Sequence, residues 1–61
     1  MTKRQVDVLL LVAQGLTNAE ISDELFLSIR TVDHHVSAVL MKLGVGSRRL
    51  AAAKVSELEL A

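Results

Sequence analysis

The sequence predicts an all-α fold, a four-helix bundle, on the basis of three observations. The 61-residue chain has no proline to interrupt helices and no cysteine to form disulfides or thiolate metal sites. Hydrophobic residues make up 51% of the chain, but Phe26 is its single aromatic residue, so leucine, valine, isoleucine and alanine must form the core. Glycine and hydroxyl residues divide the chain into four segments, each long enough for a helix.

Two capping boxes mark the starts of the first two helices. In each box, a threonine and a glutamine or glutamate three residues later can satisfy each other's free backbone N–H groups. The boxes are Thr2–Gln5 and Thr17–Glu20. They predict a first helix from about Lys3 to Gly15, where glycine favours a left-handed ending, and a short second helix that ends near Leu25.

Serine side chains are the predicted caps of the last two helices. Ser28 precedes a third helix that runs from Ile29 to Leu43 and is stopped by Gly44. Ser47 precedes a fourth helix that covers residues 48 to about 57. These four predicted helices make one small domain.

The third predicted helix has the clearest amphipathic pattern. One face is apolar and consists of Ile29, Val32, Val36, Val39, Leu40 and Leu43. The opposite face carries Arg30, Asp33, His34, Ser37 and Met41. Only Phe26 and Leu27 separate the cap of this helix from the second helix. Two helices joined by such a tight turn, the second longer and with a polar outer face, are typical of a helix-turn-helix.

The charges are balanced in total but unevenly distributed along the chain. The formal net charge is zero at pH 7, which by itself argues against a nucleic-acid partner. Residues 1–25 carry an excess of two negative charges, whereas residues 26–54 carry an excess of four positive charges. The chain can therefore present a basic face, although an ordinary solvated surface would have the same pattern.

Four motifs occur in order along the chain: TKRQ, VAQGLTNAEIS, LSIRTVDHHV and KLGVGSR. Together they resemble the LuxR-type (GerE-type) DNA-binding domain of bacterial transcription regulators, from Met1 to about Ala53. The resemblance implies that the third helix is the recognition helix, which enters the DNA major groove, and that the fourth commonly supplies the dimer contact. Such domains usually follow a phosphorylated receiver or a ligand-binding domain, so we expect residues 1–61 to be an excised C-terminal domain.

The resemblance and the helix phase together predict three groups of functional residues. Outer residues near the start of a helix reach base edges in the major groove, and those predicted here are Arg30, Thr31, Asp33, His34 and Ser37. Basic, hydroxyl and helix-start groups hold phosphates, and those predicted here are Thr17, Asn18, Lys42, Ser47 and Arg48. The predicted dimer stripe on the fourth helix is Leu50, Ala51, Lys54, Val55 and Leu58, part of which must pack on the domain itself.

The adjacent histidines invite an alternative interpretation as a metal or catalytic site. Neighbouring residues point about 100° apart on a helix, so His34 and His35 cannot readily chelate one ion. Asp33 and Ser37 do not complete a catalytic triad for the same reason. His34 is predicted to face outward, whereas His35 is predicted to support the fold. We expect no metal, no cofactor and no enzyme activity.

Two outer positions depart from the family pattern in ways that affect DNA binding. In the family, the position of Asp33 is often lysine, although glutamate also occurs. A carboxylate repels phosphate but accepts a hydrogen bond from cytosine N4, so either altered base preference or simply weaker affinity is expected. Ser37 also stands where basic residues are frequent, which favours a weaker grip on DNA.

The first helix also departs from the family pattern on its outer face. By alignment with the family, the inward positions are Met1, Gln5, Val8, Leu9, Val12 and Leu16. Val6 and Leu10 then face outward, where charged residues are common. Isolated apolar side chains are ordinary on protein surfaces, but two of them one turn apart could form a docking patch for an absent regulatory domain.

These observations predict sequence-specific binding of double-stranded DNA by a homodimeric bacterial transcription regulator. An N-terminal regulatory domain and RNA polymerase are the other expected partners. The rival interpretation is a protein-interaction module that keeps the fold, binds DNA weakly and uses Val6, Leu10 or the fourth helix. The longest uncharged apolar run, Val8–Ala13, is far shorter than the roughly 20 residues that span a bilayer, so a cytoplasmic protein without membrane contact is expected.

Overall fold

The computed structural model describes residues 1–60, including the side chains of residues 1–58. The helices are α1 (Lys3–Ala13), α2 (Asn18–Leu25), α3 (Ile29–Leu43) and α4 (Arg48–Leu60). The all-α prediction is confirmed, and α4 continues beyond its expected end near Glu57. The predicted domain reaches Ala61, which lies outside the described residues. No helix in the described part of the chain is long and apolar enough to cross a membrane.

Both capping boxes are present, which explains why α1 and α2 begin where they were predicted to begin. The Thr2 backbone N–H donates to Gln5 Oε1 at 3.0 Å, and the Gln5 N–H donates to Thr2 Oγ1 at 3.2 Å. The corresponding distances for Thr17 and Glu20 are 2.8 Å and 3.2 Å. Two backbone donors that the helix cannot satisfy internally are thus paired at each start.

The two serine caps also hold the starts of α3 and α4. Ser28 Oγ accepts a hydrogen bond from the Thr31 backbone N–H at 3.1 Å, and Ser47 Oγ accepts one from the Leu50 N–H at 3.2 Å. Helix α3 ends at Gly44, whose φ of 69° lies in the left-handed region that favours glycine. These local signals fix the bounds of α3 as predicted.

The turn between α2 and α3 contains a residue in a conformation that glycine usually adopts. Phe26 has φ 56° and ψ 43°, and its side chain is 94% exposed. Its backbone N–H donates to the Ser22 carbonyl, as does the Leu27 N–H at 3.0 Å. The Ser22 hydroxyl donates to the Leu27 carbonyl. These bonds close the helix end and set the tight turn of the helix-turn-helix.

The core consists of two clusters that share α1 and α3. The first cluster joins α1, α2 and α3 and contains Val8, Val12, Ile21, Val32 and Val36. The second cluster joins α1, α3 and α4 and contains Leu9, Val39, Ala51 and Val55. Leu40 packs against both clusters. Helices α1 and α3 therefore form the centre of the domain, and each cluster fixes one outer helix against them.

Two residues predicted to face inward are exposed instead. Met1 is 47% exposed because it precedes α1, and Ile29 is 56% exposed at the first position of α3. Neither residue belongs to a core cluster, because the cluster members of α1 and α3 lie farther along each helix. Val6 and Leu10 are 40% and 41% exposed, which confirms their predicted outward orientation.

Candidate nucleic-acid interface

The outer face of α3 is open to solvent along the first part of the helix. Arg30, Asp33, His34 and Ser37 are exposed, and Thr31 is half-buried. Residues three and four positions apart lie on the same side of a helix, so these side chains form one continuous surface. It offers a guanidinium, a carboxylate, an imidazole and a hydroxyl, which together can donate and accept hydrogen bonds. This is the chemistry that reads base edges in the major groove.

Thr31 lies at the border of this surface. Its hydroxyl is 2.7 Å from Ser28 Oγ, in addition to the bond from its backbone N–H to the same oxygen. The hydroxyl is thereby tied to the start of α3 and is less free than the other polar groups of the face. Its half-buried position leaves part of the side chain accessible beside Arg30.

The two histidines have different environments, as their phases predicted. His34 is exposed, whereas His35 is half-buried. Both line a shallow cleft of about 280 Å³ together with Arg30 and Thr31, at the start of α3. Within residues 1–58 the structure brings no three metal-ligating side chains together. The cleft therefore belongs to the polar outer face of α3.

Four of the predicted phosphate residues lie at the starts of two helices, and one arginine bridges those starts. Arg48 Nη1 donates to Asn18 Oδ1 at 2.5 Å, and Arg48 Nη2 donates to the Leu16 carbonyl at 2.5 Å. Thr17 and Ser47 directly precede Asn18 and Arg48, so the contact links the two capped helix starts. The sequence alone does not reveal the bond from Arg48 to Asn18, because these residues lie 30 positions apart and no local pattern signals their contact.

The start of α2 keeps donors that no helix bond can use. The Glu20 and Ile21 N–H groups bond to the side chain and carbonyl of Thr17. The N–H groups of Asn18 and Ala19 come too early in the helix for an intrahelical acceptor. Such groups attract anions, although the Glu20 carboxylate on the Thr17 N–H adds a negative charge nearby. Lys42, the remaining predicted phosphate residue, is exposed in the last turn of α3.

The predicted dimer stripe on α4 is wrong at two positions. Ala51 is 0% exposed and Val55 is 6% exposed, because both pack into the core cluster that α4 shares with α1 and α3. A partner helix cannot reach them in this fold. Leu50 and Leu58 are 52% and 63% exposed, and Lys54 is exposed as well. Only these three residues of the stripe are accessible to a second subunit.

Comparisons with known proteins give a family and several relatives that match most of this chain. The family described as "GerE: Bacterial regulatory proteins, luxR family" matches residues 1–55. The chain is 48% identical over 52 residues to the transcriptional regulatory protein LiaR of Bacillus subtilis, which is 85% of this chain and 25% of that protein. It is 40% identical over 48 residues to the oxygen regulatory protein NreC of Staphylococcus aureus, which is 79% of this chain and 22% of that protein. The chain thus spans about a quarter of the length of these relatives.

Proposed function

Since the chain belongs to the luxR family of bacterial regulatory proteins, we propose that it binds double-stranded DNA sequence-specifically with α3 in the major groove. Membership of this family of DNA-binding transcription regulators supports DNA binding as the general activity. The observation that carries the finer proposal is the exposed polar face of α3 behind a tight turn. A helix fits the major groove, and its first turns lie nearest the bases.

The proposed mechanism separates positioning from reading. Phosphate contacts by Thr17, Asn18 and Lys42 fix the register of the domain on the duplex but carry no sequence information. The face of α3 then samples the bases. Arg30 is suited to a bidentate contact with guanine, and Asp33 to accepting a hydrogen bond from cytosine N4. Specificity follows from the geometry of these few side chains.

The proposed active form is a homodimer on paired half-sites. Leu50, Lys54 and Leu58 supply the accessible part of α4 for a symmetric contact. A two-fold protein on DNA requires half-sites about one helical turn apart, roughly 34 Å, or a multiple of it. In the intact regulator an N-terminal regulatory domain controls this step in the cytoplasm, and RNA polymerase is the further partner in transcription.

Selection of duplexes from a random pool, followed by a salt titration of the enriched sequence, tests the proposal. The enriched duplex is expected to bind at least about 10³-fold more tightly than random DNA at physiological salt. Its affinity should fall linearly with the logarithm of salt concentration. Arg30→Ala should reduce the preference for the enriched sequence, and Lys3→Ala is the control for loss of a positive charge. Absence of DNA affinity at low salt, in monomer and dimer alike, contradicts the proposal.

An apolar patch on α1 supports a second candidate function, a protein-interaction module with weak DNA binding. Val6 and Leu10 are exposed one turn apart, and Leu10 borders a shallow cleft of about 290 Å³ rimmed by Asp7 and Glu24. A Val6→Lys/Leu10→Lys double variant separates the two functions. If α3 recognises DNA, this variant keeps its sequence-specific DNA affinity. If the domain is a protein-interaction module, the variant loses binding to its protein partner.

A further inference from the structure

Arg48 occupies an unfavourable position for a free cation. It is the first residue of α4, where the positive end of the helix dipole disfavours positive charge. Its side chain is half-buried and reaches back to the turn between α1 and α2. Both terminal nitrogens donate hydrogen bonds there, to Asn18 Oδ1 and to the Leu16 carbonyl. These charge-assisted bonds offset the dipole and hold the start of α4 against the start of α2.

The bond to Asn18 determines which way that side chain presents its amide. A guanidinium can only donate hydrogen bonds, so the Asn18 oxygen must face Arg48. The Asn18 nitrogen, with its two N–H donors, is then on the opposite side of the amide group. The backbone N–H groups of Asn18 and Ala19, which come too early in α2 for an intrahelical acceptor, belong to the same helix start. An amide turned the other way would present an acceptor, which repels phosphate.

We infer that Arg48 is a positioning residue for DNA binding rather than a phosphate ligand. It turns the Asn18 side-chain N–H groups outward and locks the start of α2 to the start of α4, so that the donors at α2 meet the DNA phosphate in a fixed geometry. The inference rests on the proposed DNA binding, and it reassigns a residue whose charge alone suggests direct contact with phosphate.

The salt dependence of DNA affinity distinguishes positioning from direct contact. We compare Arg48→Met with Arg49→Met, because Arg49 is the exposed neighbour on the same turn and loses the same charge. Arg48→Met should weaken DNA binding on the order of tenfold relative to Arg49→Met. Without Arg48, the Asn18 N–H groups are no longer turned toward the DNA phosphate, so their charge-assisted hydrogen bond is lost. The slope of the logarithm of DNA affinity against the logarithm of salt concentration should be the same for the two variants. A slope lower by about one unit in Arg48→Met alone means a lost phosphate contact and overturns the inference.

A double-mutant cycle tests whether Arg48 acts through Asn18. Asn18→Ala should weaken DNA binding about as much as Arg48→Met, and the double variant should bind no more weakly than either single variant. Additive losses overturn the inference, because they mean that the two residues contact DNA independently. A wild-type chain without DNA affinity at low salt instead overturns the proposed function, so the two failures are distinguishable.

One further variant keeps the test decisive if Arg48→Met does not fold. Asn18→Asp retains an acceptor for Arg48 but replaces the outward N–H donors with a carboxylate oxygen. Its thermal midpoint should equal or exceed that of the wild type, because a charged acceptor strengthens the bond to Arg48. Its DNA affinity should fall at least about tenfold. Unchanged DNA affinity in the folded Asn18→Asp variant overturns the inference.

Discussion

Asp33 is the single carboxylate of α3, and it is exposed between Arg30 and Ser37 on the face proposed to read DNA. A negative charge here opposes phosphate but can select cytosine. We therefore expect Asp33→Lys to change base preference at one position by about 1–3 kcal/mol, in addition to raising general affinity. Binding to duplexes that vary one base pair at a time measures both effects.

The control for this substitution is Asp33→Asn, which removes the charge and keeps the shape. If Asp33 reads a base, Asp33→Asn should reduce discrimination at the same position, with a smaller general gain in affinity than Asp33→Lys because the charge changes by one unit instead of two. If the residue only repels phosphate, Asp33→Lys will increase affinity equally for every duplex, and this outcome contradicts its role in base reading.

At the scale of the element, the turn of the helix-turn-helix holds Phe26 in a left-handed conformation while its ring gains little burial. Glycine adopts this conformation without steric cost. We expect Phe26→Gly to leave the fold intact and to raise the free energy of unfolding by up to about 1 kcal/mol. Chemical denaturation measures the change. A decrease in the free energy of unfolding of more than about 1 kcal/mol would contradict this expectation, because it would mean that the Phe26 ring makes stabilising contacts despite its exposure.

The two capping boxes provide a matched pair for testing the start of α2. Thr2→Ala and Thr17→Ala each remove a cap and should each lower the free energy of unfolding by about 1 kcal/mol. Only Thr17→Ala should also weaken DNA binding, because only the start of α2 belongs to the proposed interface. Thermal unfolding and DNA affinity of both variants test this, and equal losses of DNA affinity exclude a special role for α2.

At the scale of the whole molecule, the accessible part of α4 determines whether two subunits associate. Leu58→Glu should leave the monomer folded, because Leu58 is 63% exposed, and should reduce dimer formation and binding to paired half-sites. Ala51→Glu is the contrasting variant and should unfold the domain, because it buries a charge in the core. Analytical ultracentrifugation and circular dichroism check both outcomes. A dimer unaffected by Leu58→Glu places the interface elsewhere.

The sequence predicted the parts of this fold that local signals determine. Caps such as Thr17 lie within one turn of their partners, and the 3.6-residue period places His34 outward, so helix bounds and helix faces were predictable. Periodicity could not tell which side of α4 meets its own core, and Ala51 was therefore misassigned. Nor could it reveal the bond from Arg48 to Asn18, which depends on how the helices pack.

The proposal that α3 reads DNA is tested most directly by mapping backbone amide NMR shifts while the selected duplex is added. The largest shifts are expected at residues 30–37 of α3, with a second group at Thr17 and Asn18 and at the start of α4. The exposed patch of Val6 and Leu10 should not respond. Shifts concentrated on that patch, with residues 30–37 unchanged, would contradict DNA recognition by α3.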